Sequence, residues 1–367
     1  MKIKIALITI HWANSYGGML QAFASQKILS QYGGVSLIDY KTTHLEKTMC
    51  LIRYGYTPRD FLRMAKDIAR IFPRYRLLKK FKYFVNTYFN LTEPCPDHHS
   101  LKNLEKDYDI FVCGSDQIWN PNIVDGFDSA YFLAFIKTKK KISFASSSGS
   151  YNFSDQETSL LISYLNSFSS ISTRENDTSQ FLTSILENKK VSALLDPTLL
   201  LNKKEWLEAL NINETVEKAP YVFVYTLKKD KFVREIVRKV SLSLNLKVVV
   251  IDQDPYLGYD ADNHIQDAGP KEYIELLSGA SFVITNSFHG TVFSVNFKVP
   301  FIAIKPESGL NRIEGFLKNV DLQNRLILNN ENLNEIITTP LDFEKSHKKL
   351  TLLRQTTKAY LDNAFTQ

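Results

Sequence analysis

A chain of 367 residues with 44% hydrophobic side chains can bury a substantial core, and its length suggests two domains. No run approaches the ~18 uninterrupted apolar residues of a membrane span, and three scattered cysteines (Cys50, Cys95, Cys113) imply no disulfide framework. The +6 charge is uneven: Arg63 to Lys82 holds eight basic residues against Asp67 alone, a net +7 that leaves −1 for the rest.

The first residues, KIKIALITI, predict a strand rather than a leader peptide, because the apolar run ends in His11 and Trp12 without a small-residue cleavage site. A cytoplasmic protein is expected. GGMLQAFASQKILSQ (17–31) has helical spacing, and VSLIDY is a second strand. Residues 45 to 90 predict helix interrupted at Pro58 and Pro73. This segment, with Phe72, Tyr75 and Phe81 among its cations, suits either a solvated helix face or contact with an anionic membrane through residues 63–82.

YDIFVCGSD and KKISFASSS predict strands, and SDQETSLLISYLNSF a helix opened by Ser154 and Glu157 as a capping box. SSISTRE and VSALLD then flank the helix NDTSQFLTSIL. After Leu201 the same grammar returns: strands YVFVYTL, LKVVVID, ASFVITN and VPFIAI, with helices at 230–243, 271–279 and 289–297. LNRIEGFLKNV and residues 343–365 are the last helices. The expected architecture is α/β, with two Rossmann-like, doubly wound domains facing a cleft. The expected boundaries are 1–202 and 203–340, followed by a C-terminal helix within 341–367.

Four strand-to-helix turns could carry chemistry. In ITNSFHG, the helix N-terminus can take an anion, capped by Asn286 or Ser287, with Gly290 allowing close approach and Thr291 alongside. His289 would project beside that anion; otherwise it bonds a neighbouring strand. In VCGSDQIWNP, Ser115, Asp116, Gln117, Trp119 and Asn120 are residue types that hold sugars, or equally a capped turn with a packed indole. In STRENDTSQ, Arg174 could fork onto a carboxylate or phosphate, or pair with an acid such as Glu175. In WANSYGGMLQAF, Asn14, Tyr16 and Gly17 fill the first turn without a GxGxxG or a Walker lysine. EPCPDHHS has no zinc-like spacing, and no HExxH or GxSxG occurs, so a metal-free mechanism without a cofactor is expected.

The segments NSYGGMLQAFA, GSDQIWNP, ISTRE, LLDPTLLL, ITNSFHGTVF and NRIEGFL, in this order, give the chain a resemblance to the polysaccharide pyruvyltransferase family. The resemblance implies a GT-B-like pair of Rossmann domains. It also implies transfer of pyruvate from phosphoenolpyruvate, a co-substrate, onto two hydroxyls of a sugar or lipid-linked glycan in bacterial-type capsular or exopolysaccharide synthesis. It places the donor-site arginine at Arg174 and the active-site histidine at His289, with Asp116 as candidate base. Where some members have a second arginine, this chain has Ser287, which leaves Arg312 or Lys305 to neutralise the anion. The donor side falls in the second domain and the acceptor side in the first, with peripheral contact at the inner membrane face and no nucleic acid. Two rivals remain: a nucleotide-sugar-dependent glycosyltransferase on the same fold, and a non-enzymatic scaffold that binds polyanions through 63–82.

Overall fold

The computed structural model describes residues 2–213, 219–306, 309–329 and 333–366. The chain gathers into two compact units, Met1–Met49 with Val85–Leu200 and Leu352–Gln367, and Cys50–Phe84 with Leu201–Thr351.

In the first unit, β1 (Lys4–Ile8), β2 (Gly34–Leu37), β3 (Ile110–Cys113) and β4 (Lys140–Ser143) form a parallel sheet in the order β2-β1-β3-β4. A parallel pair, β5 (Ile171–Thr173) and β6 (Val191–Ala193), continues it through bridges from Ile142 to Ser170 and from Ser146 to Thr173. All four residues of β3 are buried, as expected where helices cover both faces of a parallel sheet. The strand order reverses between β1 and β3.

The second unit holds β7 (Tyr221–Tyr225), β8 (Lys247–Ile251), β9 (Asn263–Ile265), β10 (Phe282–Thr285), β11 (Phe301–Ile304) and β12 (Leu326–Ile327). They lie in the order β12-β11-β10-β7-β8-β9, all parallel, so the order reverses between β7 and β10. The helices Lys231–Leu244, Pro270–Ser278 and Phe288–Phe297 stand within a residue or so of their expected places. The capping box at Ser154 and Glu157 is present on the helix Asp155–Leu165. Strands β9 and β12 carry no sequence signal, being three and two residues long without an apolar alternation.

Three expectations are corrected. Residues Cys50–Phe84 group with the second unit, although they precede residue 202, and the last helix, Phe343–Thr366, belongs to both units rather than standing apart. Pro58 and Pro73 do not interrupt helices; they sit in the first turns of Pro58–Ala69 and Ile71–Tyr88, where no N–H is needed. The cations of 63–82 are mostly occupied. Arg70 pairs with Asp67 at 3.0 Å and Asp254 at 2.7 Å, Arg76 with Asp267, Lys80 with Glu272 at 2.9 Å, and Arg63 with Asp60 at 3.0 Å.

Asp67 is the centre of this network, 0% exposed and bonded by Arg53 through Nε at 2.9 Å and Nη2 at 2.7 Å. Burial alone would raise its carboxyl, but Arg53 and Arg70 outweigh that and hold it at about 2, below the ordinary 3.8. A depressed folded value stabilises the protein above the unfolded value and loses that stabilisation as pH falls through the folded one. Urea midpoints of the wild type should therefore drop between about pH 4 and about pH 2 more steeply than those of Asp67→Asn, which is weaker at neutral pH. Parallel curves would refute the assignment.

Candidate functional site

Open α/β sheets bind ligands at the carboxyl edge of the strands where their order reverses. Three of the four turns singled out in the sequence lie at such points, ITNSFHG in the second unit and both VCGSDQIWNP and WANSYGGMLQAF in the first.

In the second unit the point lies between β7 and β10. Thr285, closing β10, donates its hydroxyl to the Tyr225 carbonyl at 2.7 Å and accepts from the Ser287 N–H at 3.1 Å. Asn286 clamps the segment after β7: its Oδ1 accepts from the Leu227 N–H at 2.6 Å, and its Nδ2 donates to the Lys228 carbonyl at 3.1 Å. Ser287 caps the helix Phe288–Phe297 by accepting from the Gly290 N–H. The Thr291 hydroxyl turns back to the Ser287 carbonyl at 3.1 Å and is fully buried, so its place is in the helix rather than toward a donor. Gly290 also has a packing reason. A Cβ there would stand 2.3 Å from Thr285 Oγ1, so the glycine lets the helix seat on β10 rather than admitting a ligand.

His289 in this turn is 9% exposed, with its ring edge-on to Phe288 at 5.2 Å between centroids. The Arg312 guanidinium lies over the other partner of that pair, 5.7 Å from the Phe288 ring centre, on the helix Leu310–Asn319. The structure thus brings Asn286, Ser287, His289, Gly290, Thr291 and Arg312 to one place. Lys305 is exposed at the end of β11, where its N–H donates to the Ile327 carbonyl at 3.0 Å, and no contact among the described residues joins its ammonium to the turn.

In the first unit the point lies between β1 and β3. Thr9 Oγ1 donates to the Ser115 carbonyl at 2.8 Å, and Gln21 Nε2 donates to Thr9 Oγ1 at 3.0 Å. Asp116 has φ +70°, a left-handed conformation sparsely used by side-chain-bearing residues and common at functional turns. Its Oδ1 accepts from the Gln117 N–H at 2.8 Å. Its Oδ2 lies over the first turn of the helix Tyr16–Leu29, 3.2 Å from where a Gly18 side chain would begin. A carboxylate there is favoured by the helix dipole. Asn14 donates its N–H to Thr48 at 3.0 Å, while Tyr16 and Gly17 are buried in that first turn.

Trp119 does not offer a stacking face. It is buried, donates Nε1–H to the Tyr131 carbonyl at 3.0 Å and stacks on Phe132 at 5.5 Å. Asn120 caps the helix Pro121–Val124 and donates to Gln117 Oε1 at 2.9 Å, so this pair braces the turn. Ser115 is wholly buried, 3.3 Å from Asp196.

Arg174 follows β5 and is 3% exposed. Its Nε donates to Glu175 at 3.0 Å, Nη1 to Asp196 at 2.9 Å and Nη2 to Ser147 at 3.0 Å. Burial pulls the guanidinium down, but Glu175, Asp196 and Asp116 together outweigh it and hold it above its ordinary value. Asp196 in turn accepts from the Thr198 N–H at 3.0 Å and its hydroxyl at 2.6 Å. The ion pair that the sequence offered as the alternative for Arg174 is present, and it extends to a carboxylate from β6 that composition alone did not connect.

Sequence reasoning missed His11 and Asp39, at the ends of β1 and β2. His11 Nε2 lies 3.2 Å from Asp39 Oδ1 and Nδ1 lies 3.1 Å from the Thr9 carbonyl, both buried. Lys41 pairs with Asp39 at 2.8 Å and covers the Trp12 ring at 4.5 Å. Burial would raise the Asp39 carboxyl, but His11 and Lys41 hold it below its ordinary value. The available signal was position: each residue is polar at the end of an apolar strand. Among the described residues no group of three or more His, Cys, Asp or Glu side chains could hold a metal ion.

Two measurements check these assignments. Gly290→Ala should destabilise the fold by roughly 1–3 kcal/mol through the forced shift of Thr285, read as a lower unfolding midpoint. Gly315→Ala, where an added Cβ meets nothing within 4 Å, should leave stability equal or better. Arg174→Ala strands two carboxylates and should cost about 3–5 kcal/mol. Arg174→Lys should recover only part of this, since an ammonium cannot make the three-way fork; a midpoint equal to wild type would contradict the network.

A model of the family described as polysaccharide pyruvyl transferase matches residues 16–308. None of the curated proteins compared matches. Among solved structures, the UDP-GlcNAc 2-epimerase from Methanocaldococcus jannaschii superposes with a TM-score of 0.57 at 14% identity, covering 98% of this chain and 100% of that one. The same organism's enzyme in complex with UDP-GlcNAc and UDP gives 0.51 at 14% identity, over 96% and 99%. The Neisseria meningitidis enzyme bound to UDP-GlcNAc gives 0.50 at 10%, over 98% and 100%. At these identities the likeness is one of fold, a GT-B-like α/β architecture of parallel sheets with a C-terminal helix.

Proposed function

Because this chain belongs to the polysaccharide pyruvyl transferase family, we propose that it moves pyruvate from phosphoenolpyruvate onto two hydroxyls of a sugar, forming a cyclic ketal and releasing phosphate. The observation that carries the reading is His289, a titratable side chain at the first turn of a buried helix, at the reversal point of its sheet. Thr285, Asn286 and Ser287 hold the turn through backbone bonds, and His289 and Arg312 bring an imidazole and a guanidinium to the same place.

The proposed sequence starts with His289 protonating the methylene carbon of phosphoenolpyruvate, which leaves a cation at C2. One sugar hydroxyl adds there and loses its proton. The C2–O bond to phosphate then breaks, and the second hydroxyl adds and loses its proton. One of the two hydroxyl protons replaces the one His289 gave, and the other leaves with phosphate. The helix N-terminus and Arg312 favour the donor's negative charge. Arg174 acts here as a positioning residue: its guanidinium holds the ends of β5 and β6 together and sets the field around Asp116. No metal step is invoked, so EDTA should leave turnover intact. The acceptor is proposed to be a sugar or a lipid-linked glycan.

The test is incubation with phosphoenolpyruvate and candidate acceptors, reading phosphate release and the mass of the product. His289→Gln keeps volume and one hydrogen bond but cannot supply the proton, and should lose about 10²–10⁴-fold in turnover with an unchanged unfolding midpoint. Consumption of a UDP-sugar with no use of phosphoenolpyruvate would sink the proposal.

A further inference from the structure

The helix Pro58–Ala69 buries an acid and leaves its apolar residues outside. Its one buried side chain is Asp67, which meets Arg53, Arg70 and Arg74. Its apolar side is turned out: Phe61, Leu62 and Ile68 are exposed and continue into Phe72 at the start of the next helix. Leu62 is 69% and Phe72 77% exposed, the reverse of what burial does with such side chains, with Tyr56 and Tyr75 beside them.

Within residues 50–84 the exposed charge that no acid of the unit is shown to pair has one sign. Arg59, Lys66 and Lys79 are exposed, whereas the acids of residues 50–84 are Asp60, tied into the Thr57 capping box and to Arg63, and the buried Asp67. A second copy of this chain docked on the same face would set cation against cation. An anionic bilayer surface would not: aromatic and aliphatic side chains enter the interface while flanking lysines and arginines meet phosphates. Among the described residues no helix is long and apolar enough to cross a membrane, so contact would be at the surface.

We infer that this outward face is a membrane-surface anchor, with Phe61, Leu62, Ile68 and Phe72 inserted at the headgroup level of an anionic bilayer. The anchor differs from the basic patch read in the sequence, because most cations of that patch are bound to acids of the unit and the apolar side chains lead. The inference stands apart from the transfer chemistry and is tested without it.

The experiment is co-sedimentation of the full chain with phosphatidylcholine vesicles, with and without phosphatidylglycerol, at low salt and at about 1 M, where the Debye length is about 3 Å. Wild type should pellet with the anionic vesicles, and binding should weaken but persist at high salt, since insertion is not screened. The triple variant Phe61→Ser, Leu62→Ser, Phe72→Ser should lose at least about tenfold in partitioning at both salts, with its unfolding midpoint unchanged because it removes no buried contact. Lys66→Gln with Lys79→Gln should lose binding chiefly at low salt. Wild type remaining in the supernatant with anionic vesicles would overturn the inference, as would equal pelleting of the triple variant. Sedimentation velocity supplies the last outcome: a dimer dissolved by the triple variant, with no vesicle binding, would assign the face to self-association.

Discussion

A helix that follows a parallel strand opens with N–H groups that have no acceptor inside the helix, and the sheet places every such opening along the same edge. Where the helix lies on the surface, water satisfies them. The helix Phe288–Phe297 is buried over its whole length, so its opening must be provided for by the chain itself. Ser287 accepts from the Gly290 N–H and Thr285 from the Ser287 N–H, while the Asn286 amide fixes the neighbouring segment after β7. The polarity of the turn is thus first a requirement of folding. His289 is the part of the turn that this requirement does not explain.

In the first unit the buried polar groups are charged. At the ends of β5 and β6 a guanidinium, two carboxylates and a serine hydroxyl share one buried space, and Asp196 is further bonded by Thr198. Such a network tolerates little change, because removing one member leaves the others charged and dry. The left-handed backbone at Asp116 adds local strain beside it. The two units therefore differ in material, neutral dipoles at the end of β10 and paired ions beyond β5 and β6.

The sequence disclosed strands best where both faces are covered, since IFVC, FVIT and FIAI are runs with no other easy reading. It disclosed the turns because small polar residues interrupt such runs. It did not disclose which way a side chain points. Trp119 in a polar turn has the composition of a sugar platform, yet it packs on Phe132. Gly290 has the composition of an anion cradle, yet its hydrogen faces Thr285. Long-range pairing was equally hidden. The cations between Arg63 and Lys82 looked unpaired because Asp254, Asp267 and Glu272 stand far along the chain. The membership of Cys50–Phe84 in the second unit was invisible for the same reason.

That separation has a consequence during synthesis. Arg70 precedes Asp254 by 184 residues and Arg76 precedes Asp267 by 191. At about 5–20 residues per second, the early helices leave the ribosome roughly ten to forty seconds before their acids exist. Throughout that interval the nascent chain displays two cationic, aromatic helices whose distant acids have not been made. The ribosome is itself a polyanion, and chaperones take up exposed apolar segments. The order of residues along the gene therefore leaves this pair of helices waiting for its acids through about half of synthesis.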